Sequence, residues 1–118
     1  MRISNSTFKG CKSLTHLLIP DNMIEIADSA FEGCSGLTSI VIPNSITVIG
    51  RGAFAGCTGL TSVAMPDGVK IIGRFAFAGC KGLMNVGLAD SITEIKEGAF
   101  RGCIGLTSVV IPYSMTEI

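Results

Sequence analysis

Apolar residues alternate with polar or small residues in two short stretches within every block of 23 residues. In the block that covers residues 43–65, these stretches are 46–49 and 60–65, and both contain β-branched residues. Such alternation is typical of β-strands that bury one face. The sequence therefore predicts two short strands per block. A proline followed by an Asn-Ser pair begins the turn between successive strands.

The block is repeated along the whole chain, because several residue types return every 23 residues. The columns are Phe8, Phe31, Phe54, Phe77 and Phe100, then Cys11, Cys34, Cys57, Cys80 and Cys103, then Leu14, Leu37, Leu60, Leu83 and Leu106. Self-similarity at a fixed period of this size is the signature of stacked repeats, in which each repeat covers the apolar face of the next. We expect residues 1–118 to form one array, a fragment of a longer one, with complete repeats at 20–42, 43–65, 66–88 and 89–111 and partial repeats at 1–19 and 112–118.

The stretch G-R-G-A-F-A-G, residues 50–56, packs alanine and phenylalanine between glycines. It is long enough for one helical or 3₁₀ turn, and Gly56 suits the left-handed residue that ends such a turn. We expect the phenylalanine, cysteine and leucine columns to point inward as the structural core.

The pattern I-P-x-S-I-T-x-I-G-x-x-A-F-x-G-C-x-x-L-T-S-V resembles the BspA-like, or Treponema-type, leucine-rich repeat. The departures are few: Ala89 replaces proline, Met84 and Asn85 replace Thr-Ser, and Phe75 stands where other copies have glycine. The resemblance implies a leucine-rich-repeat solenoid, mainly β with short helical or 3₁₀ turns. It also implies a right-handed open superhelix of about five turns with a parallel concave sheet.

Proteins of this family are typically large surface or secreted proteins, and many are regarded as adhesins. The resemblance thus implies a protein-binding module at the cell surface or outside the cell, recognising host matrix or plasma proteins. It carries no catalytic residue to this chain. The alternative is a structural spacer without a ligand of its own, which the near-identical repeats favour.

Charge and hydropathy exclude several other partners. Nine basic and nine acidic residues cancel, which argues against nucleic acid or an anionic membrane held by bulk charge. No apolar run reaches the roughly 18–20 residues of a spanning helix, so membrane insertion is not expected. The first ten residues lack the apolar core of a signal peptide.

The cysteine column could suggest disulfides, a metal site or a nucleophile. One thiol per repeat lacks the short Cys-x-x-Cys steps of a metal site, and we expect no metal or cofactor. Neighbouring thiols could approach disulfide distance, but parallel stacking rarely gives the required torsion. We therefore expect a buried ladder of free thiols.

His16 is the single histidine, and no carboxylate or cysteine is expected to point outward beside it. A catalytic dyad needs such a group within hydrogen-bond reach. The sequence therefore predicts no catalytic residue and no enzyme.

Every charged residue lies outside the strand stretches 14–19, 37–42, 60–65, 83–88 and 106–111. The outward positions of these strands thus form a neutral strip that could receive another protein. Its predicted members are His16, Leu18, Ser39, Val41, Ser62, Ala64, Asn85, Ser108 and Val110. Serine, valine and alanine could also simply cover a sheet.

Both ends of the chain fall within a repeat, and neither has the polar, atypical repeat that seals a solenoid. Inward residues would then face water at the two ends, namely Phe8, Leu14 and Leu17 at one and Leu106, Val109 and Ile111 at the other. We expect end-to-end self-association into dimers or short stacks.

Overall fold

The computed structural model describes residues 9–88 and 91–106, together with the backbones of two strands, Arg2–Ile3 and Ser108–Val109. Ten short strands are described. They are β1 (Arg2–Ile3), β2 (His16–Leu18), β3 (Glu25–Ile26), β4 (Ser39–Val41), β5 (Val48–Ile49), β6 (Ser62–Ala64), β7 (Ile71–Ile72), β8 (Asn85–Gly87), β9 (Glu94–Ile95) and β10 (Ser108–Val109). The prediction of two strands per repeat is confirmed.

The strands form parallel sheets, in which each strand pairs with its counterpart one repeat away. Five of the two-residue strands make one sheet, in the order β1-β3-β5-β7-β9. The three-residue strands β2 and β4 form a pair, and the three-residue strands β6 and β8 form a triplet with the two-residue strand β10. Partners are 23 residues apart, for example Val48 with Ile71 and Ser62 with Asn85. The period read from the sequence is therefore the register of the sheets.

Because each strand pairs with its counterpart one repeat away, the chain folds as a solenoid of stacked repeats. Three of the predicted repeats, 20–42, 43–65 and 66–88, lie wholly within the described residues. The repeat 89–111 is described in part, and Phe8, Val110 and Ile111 lie outside the description, as does the side chain of Val109. No helix occurs in the described ranges, and thus none there that could span a membrane.

The predicted helical or 3₁₀ turns are not confirmed. Residues 27–34 form consecutive turns in which alternate amides take different partners. The amides of Ala30 and Glu32 donate to carbonyls three residues back, whereas that of Phe31 donates to Ala53 of the next repeat. A helix needs an uninterrupted internal series of such bonds. Here every second backbone amide donates instead to a carbonyl of the next repeat. The segment therefore forms a ladder of hydrogen bonds between stacked repeats.

The phenylalanine column forms the centre of the core. Phe31, Phe54 and Phe77 are fully buried, and neighbouring rings stack nearly parallel with centroids 5.3–5.4 Å apart. The cysteine and leucine columns are buried beside them in the middle repeats. The outer members Cys11, Leu14, Phe100, Cys103 and Leu106 are half-buried, as is Leu17. The described members of these columns therefore lie in or against the core, and end-to-end association stays a prediction.

Candidate functional site

The three-residue strands present the strip that the sequence predicts. Their first and third residues are exposed and the middle ones are buried or half-buried, as Val63 and Val86 illustrate. We call the exposed residues the outward strip. Its described members are His16, Leu18, Ser39, Val41, Ser62, Ala64, Asn85 and Gly87. Ser108 pairs with Asn85 through its backbone, but its side chain and all of Val110 lie outside the description.

Parallel pairing arranges the outward strip in two rows. One row carries polar side chains, with His16 beside Ser39 and Ser62 beside Asn85. The other carries apolar or small residues, with Leu18 beside Val41 and Ala64 beside Gly87. Leu18 is 78% exposed and Val41 is 58% exposed. The strip therefore offers uncharged apolar surface next to hydroxyl and amide groups.

The strip is interrupted between β4 and β6, whose backbones do not pair in a common sheet. A groove of about 300 Å³ lies at this break. Its lining residues are Ile40, Val41, Ile42, Ala64, Met65 and Pro66. The groove enlarges the apolar area around Val41.

His16 has a partner that the sequence analysis did not predict. Its Nδ1 lies 2.8 Å from Oγ of Ser39, and both residues are exposed. The 23-residue spacing of the two residues was the signal that could have revealed this pair. Within the described residues, no third side chain is seen to hydrogen-bond with the pair, as an orienting carboxylate would in a catalytic triad.

The cysteines form the ladder that the spacing predicts, buried in the middle repeats and half-buried at Cys11 and Cys103, and none of the five forms a disulfide bond. The thiols of Cys57, Cys80 and Cys103 each also donate a hydrogen bond to the phenylalanine carbonyl of the preceding repeat. The Sγ to oxygen distance is 3.3 Å from Cys57 to Phe31, 3.2 Å from Cys80 to Phe54 and 3.1 Å from Cys103 to Phe77. These hydrogen bonds could not be read from the sequence, where cysteine was interpreted as a small apolar residue.

Burial also controls the chemistry of the thiols. It raises the pKa of Cys57 and of Cys80 from 9.0 to about 12, and the proximity of neighbouring cysteines adds to the rise. A thiol must lose its proton to act as a nucleophile or metal ligand. The ladder is therefore built for packing and hydrogen bonding. The described residues contain no group of three His, Cys, Asp or Glu side chains suited to a metal ion.

The repeat pattern of the chain matches a known family over its full length. The family model described as the BspA type leucine rich repeat region matches residues 1–118 in six copies. The comparison with curated proteins gives no match.

Solved structures agree with the family match. A leucine rich repeat protein of T. pallidum is 35% identical, with a TM-score of 0.92 over 94% of this chain and 52% of its own. A leucine rich cell surface protein of Faecalibacterium prausnitzii is 36% identical, with a TM-score of 0.87 over 90% of this chain and 28% of its own. A leucine-rich repeat protein of Eubacterium ventriosum is 26% identical, with a TM-score of 0.87 over 95% and 31%. The chain thus spans about half of the first protein and less of the others.

Proposed function

The chain belongs to the BspA-type leucine-rich repeat family, and from this premise we propose that it is a protein-binding repeat module of a bacterial-type surface adhesin. The repeat fold is typically a scaffold for protein interactions and not an enzyme. One structural relative is described as a cell surface protein, which supports a location at the cell surface or outside the cell. The proposal includes a right-handed open superhelix of about five turns, with the outward strip on its concave side.

One observation carries the proposed function: the outward strip exposes apolar side chains and carries no charge in its described part. An exposed, contiguous apolar patch on the surface of a protein often marks an interface. Leu18 and Val41 offer area to bury, while Ser39 and Ser62 offer hydroxyl groups that can donate and accept hydrogen bonds. Such a surface suits an uncharged segment of a host matrix or plasma protein.

The proposed function is tested by introducing charge into the strip. The double variant Val41→Lys and Ala64→Lys would force a partner to cover two ammonium groups without a counter-ion, which is costly. Binding of the chain to immobilised matrix and plasma proteins is measured by surface plasmon resonance. We expect the double variant to bind at least about tenfold more weakly than the unaltered chain.

Thr58→Lys serves as the matched control. Thr58 is exposed at the corner that precedes the strand stretch, and lysine already occupies the same position in other repeats as Lys12 and Lys81. This variant adds a charge outside the strip and should bind as the unaltered chain does. Equal binding by the strip variant and this control would argue against the strip as the interface.

A structural spacer is the second candidate, and the monotony of the strip favours it. Tryptophan is absent from the chain and the single tyrosine lies outside the strip, although these residues supply many interface anchors. A spacer would bind none of the immobilised proteins in any variant. Insertion or deletion of one 23-residue repeat in the parent protein would then change its activity through distance alone.

A further inference from the structure

Phe75 breaks the repeat at a position where side chains are small. The equivalent residues are Ser29, Gly52 and Gly98, and all four have a left-handed backbone, with φ between 58° and 70°. Glycine adopts this conformation without strain, whereas a bulky side chain does not. The Phe75 ring covers Gly98, since a Cβ added there would collide with it. A Cβ added at Gly52 would lie near the side chains of Ser29 and Glu32 and not against a ring. The repeat fold itself therefore does not require an aromatic residue at this position.

A notch lies on the other side of Phe75. Gly52 and Ala55 fill little space, while the preceding repeat carries Glu32 and the following one carries Phe75. The resulting cavity, which we call the Gly52 notch, has a volume of about 390 Å³. Its lining residues include Asp28, Glu32, Arg51, Gly52, Ala55 and Phe75.

Carboxylates outnumber cations in the lining of the Gly52 notch. The Glu32 Oε1 atom would lie 3.9 Å from a Cβ at Gly52, so this carboxylate borders the floor of the notch. Lys9 Nζ is also 3.9 Å from Oε1 of Glu32, at a site where water screens the pair. Asp28 Oδ1 accepts a hydrogen bond from the backbone amide of Arg51 at 2.9 Å. The notch therefore combines the Phe75 side chain with two carboxylates and one guanidinium group in its lining, while Lys9 lies beside Glu32 outside the lining.

We propose that the Gly52 notch binds the guanidinium group of an arginine side chain from a partner protein. A planar guanidinium can stack on the face of the Phe75 ring while its N–H groups donate to the Glu32 carboxylate. An ammonium group could also approach the Glu32 carboxylate, but it is less suited to flat stacking on the ring. The notch lies among the turn segments, separate from the outward strip. The proposed arginine binding therefore does not depend on whether the strip binds a protein.

The test uses the full chain and a small probe, Nα-acetyl-arginine methylamide, in an NMR titration. The neutral isostere Nα-acetyl-citrulline methylamide is the control probe. We expect saturable shifts at Gly52 and Phe75 with the arginine probe and little change with the citrulline probe. Phe75→Gly restores the glycine of the neighbouring repeats and should fold, but it should bind about two- to fivefold more weakly.

Glu32→Gln should weaken binding to a similar degree, whereas Asp67→Asn, which removes an exposed carboxylate outside the notch, should leave it unchanged. Phe75→Leu keeps an apolar side chain at the same backbone position but removes the ring face, and it should also bind more weakly. The proposal is overturned if both probes shift the same resonances equally. It is also overturned if Phe75→Gly and Phe75→Leu bind the arginine probe as the unaltered chain does.

Discussion

At the scale of single residues, each core column has a distinct physical role that the outside positions lack. Phe54 contacts the rings of Phe31 and Phe77 on its two sides, at 5.4 and 5.3 Å. Cys57 fills the space beside this stack and also donates its thiol hydrogen to the Phe31 carbonyl. Arg51, three residues before Phe54, is exposed, and its contact with Asp28 is made by its backbone amide.

These environments predict different losses from two neighbouring substitutions. Phe54→Ala leaves a cavity between two rings and should lower the free energy of unfolding by about 3–5 kcal/mol. Arg51→Ala keeps the backbone hydrogen bond and should lower it by less than about 0.5 kcal/mol. Urea denaturation followed by circular dichroism measures both changes. Similar losses at the two positions would contradict the assignment of the phenylalanine column as the main core.

The sequence was sufficient to identify the core columns, because burial follows directly from their apolar recurrence. It did not reveal the hydrogen bonds of the thiols or the pair formed by His16 and Ser39. These contacts join residues 23 or 26 positions apart. They depend on the distance between stacked repeats and on side-chain direction, which a periodic pattern leaves open.

At the scale of the elements, glycine serves two separate purposes in one repeat. Gly56 has a φ of 75°, and a Cβ there would find ordinary contact distances of 3.6 Å or more. Gly59 needs no left-handed backbone, but a Cβ there would lie 2.7 Å from the carbonyl oxygen of Ser35. The first glycine is thus required by backbone conformation and the second by the close approach of the preceding repeat.

Three substitutions separate these two purposes. Gly56→Ala should cost roughly 1–2 kcal/mol, the strain of a left-handed residue, and Gly56→Asn should cost less because asparagine tolerates this conformation. Gly59→Ala should cost more than either, since two backbones must move apart. The free energies of unfolding are compared in urea. An order in which Gly56→Asn is the most harmful would show that space, not conformation, selects glycine at 56.

The strands could be predicted from alternation, whereas the turn segment could not. The spacing of Ala53, Phe54 and Gly56 is compatible with one helical turn, which explains the incorrect expectation. The conformation of the segment is determined by backbone amides such as that of Phe54, which donates a hydrogen bond to the carbonyl of Ala76 in the next repeat. Local sequence favours either arrangement, and only the stacking of repeats selects the ladder.

At the scale of the whole molecule, the thiol ladder links the stability of successive repeats to pH. Cys57 and Cys80 have ordinary thiol pKa values of 9.0 when exposed and values of about 12 in the fold. Between these pH values the unfolded chain loses protons that the folded chain keeps. The free energy of unfolding is therefore insensitive to these thiols below about pH 8, and it falls as pH rises from 9 towards 12.

We expect urea denaturation midpoints to be lower at pH 10.5 than at pH 7.5, with the largest contribution from Cys57 and Cys80, whose pKa values rise to about 12. The double variant Cys57→Ser and Cys80→Ser is the matched control, because hydroxyl groups do not titrate in this range and can still donate to the phenylalanine carbonyls. Other groups that titrate in this range are common to both proteins. The variant should be the less stable protein at pH 7.5, and the difference between the two should narrow or reverse at pH 10.5. A constant difference at both pH values would mean that the thiols are not protected from ionisation in the fold.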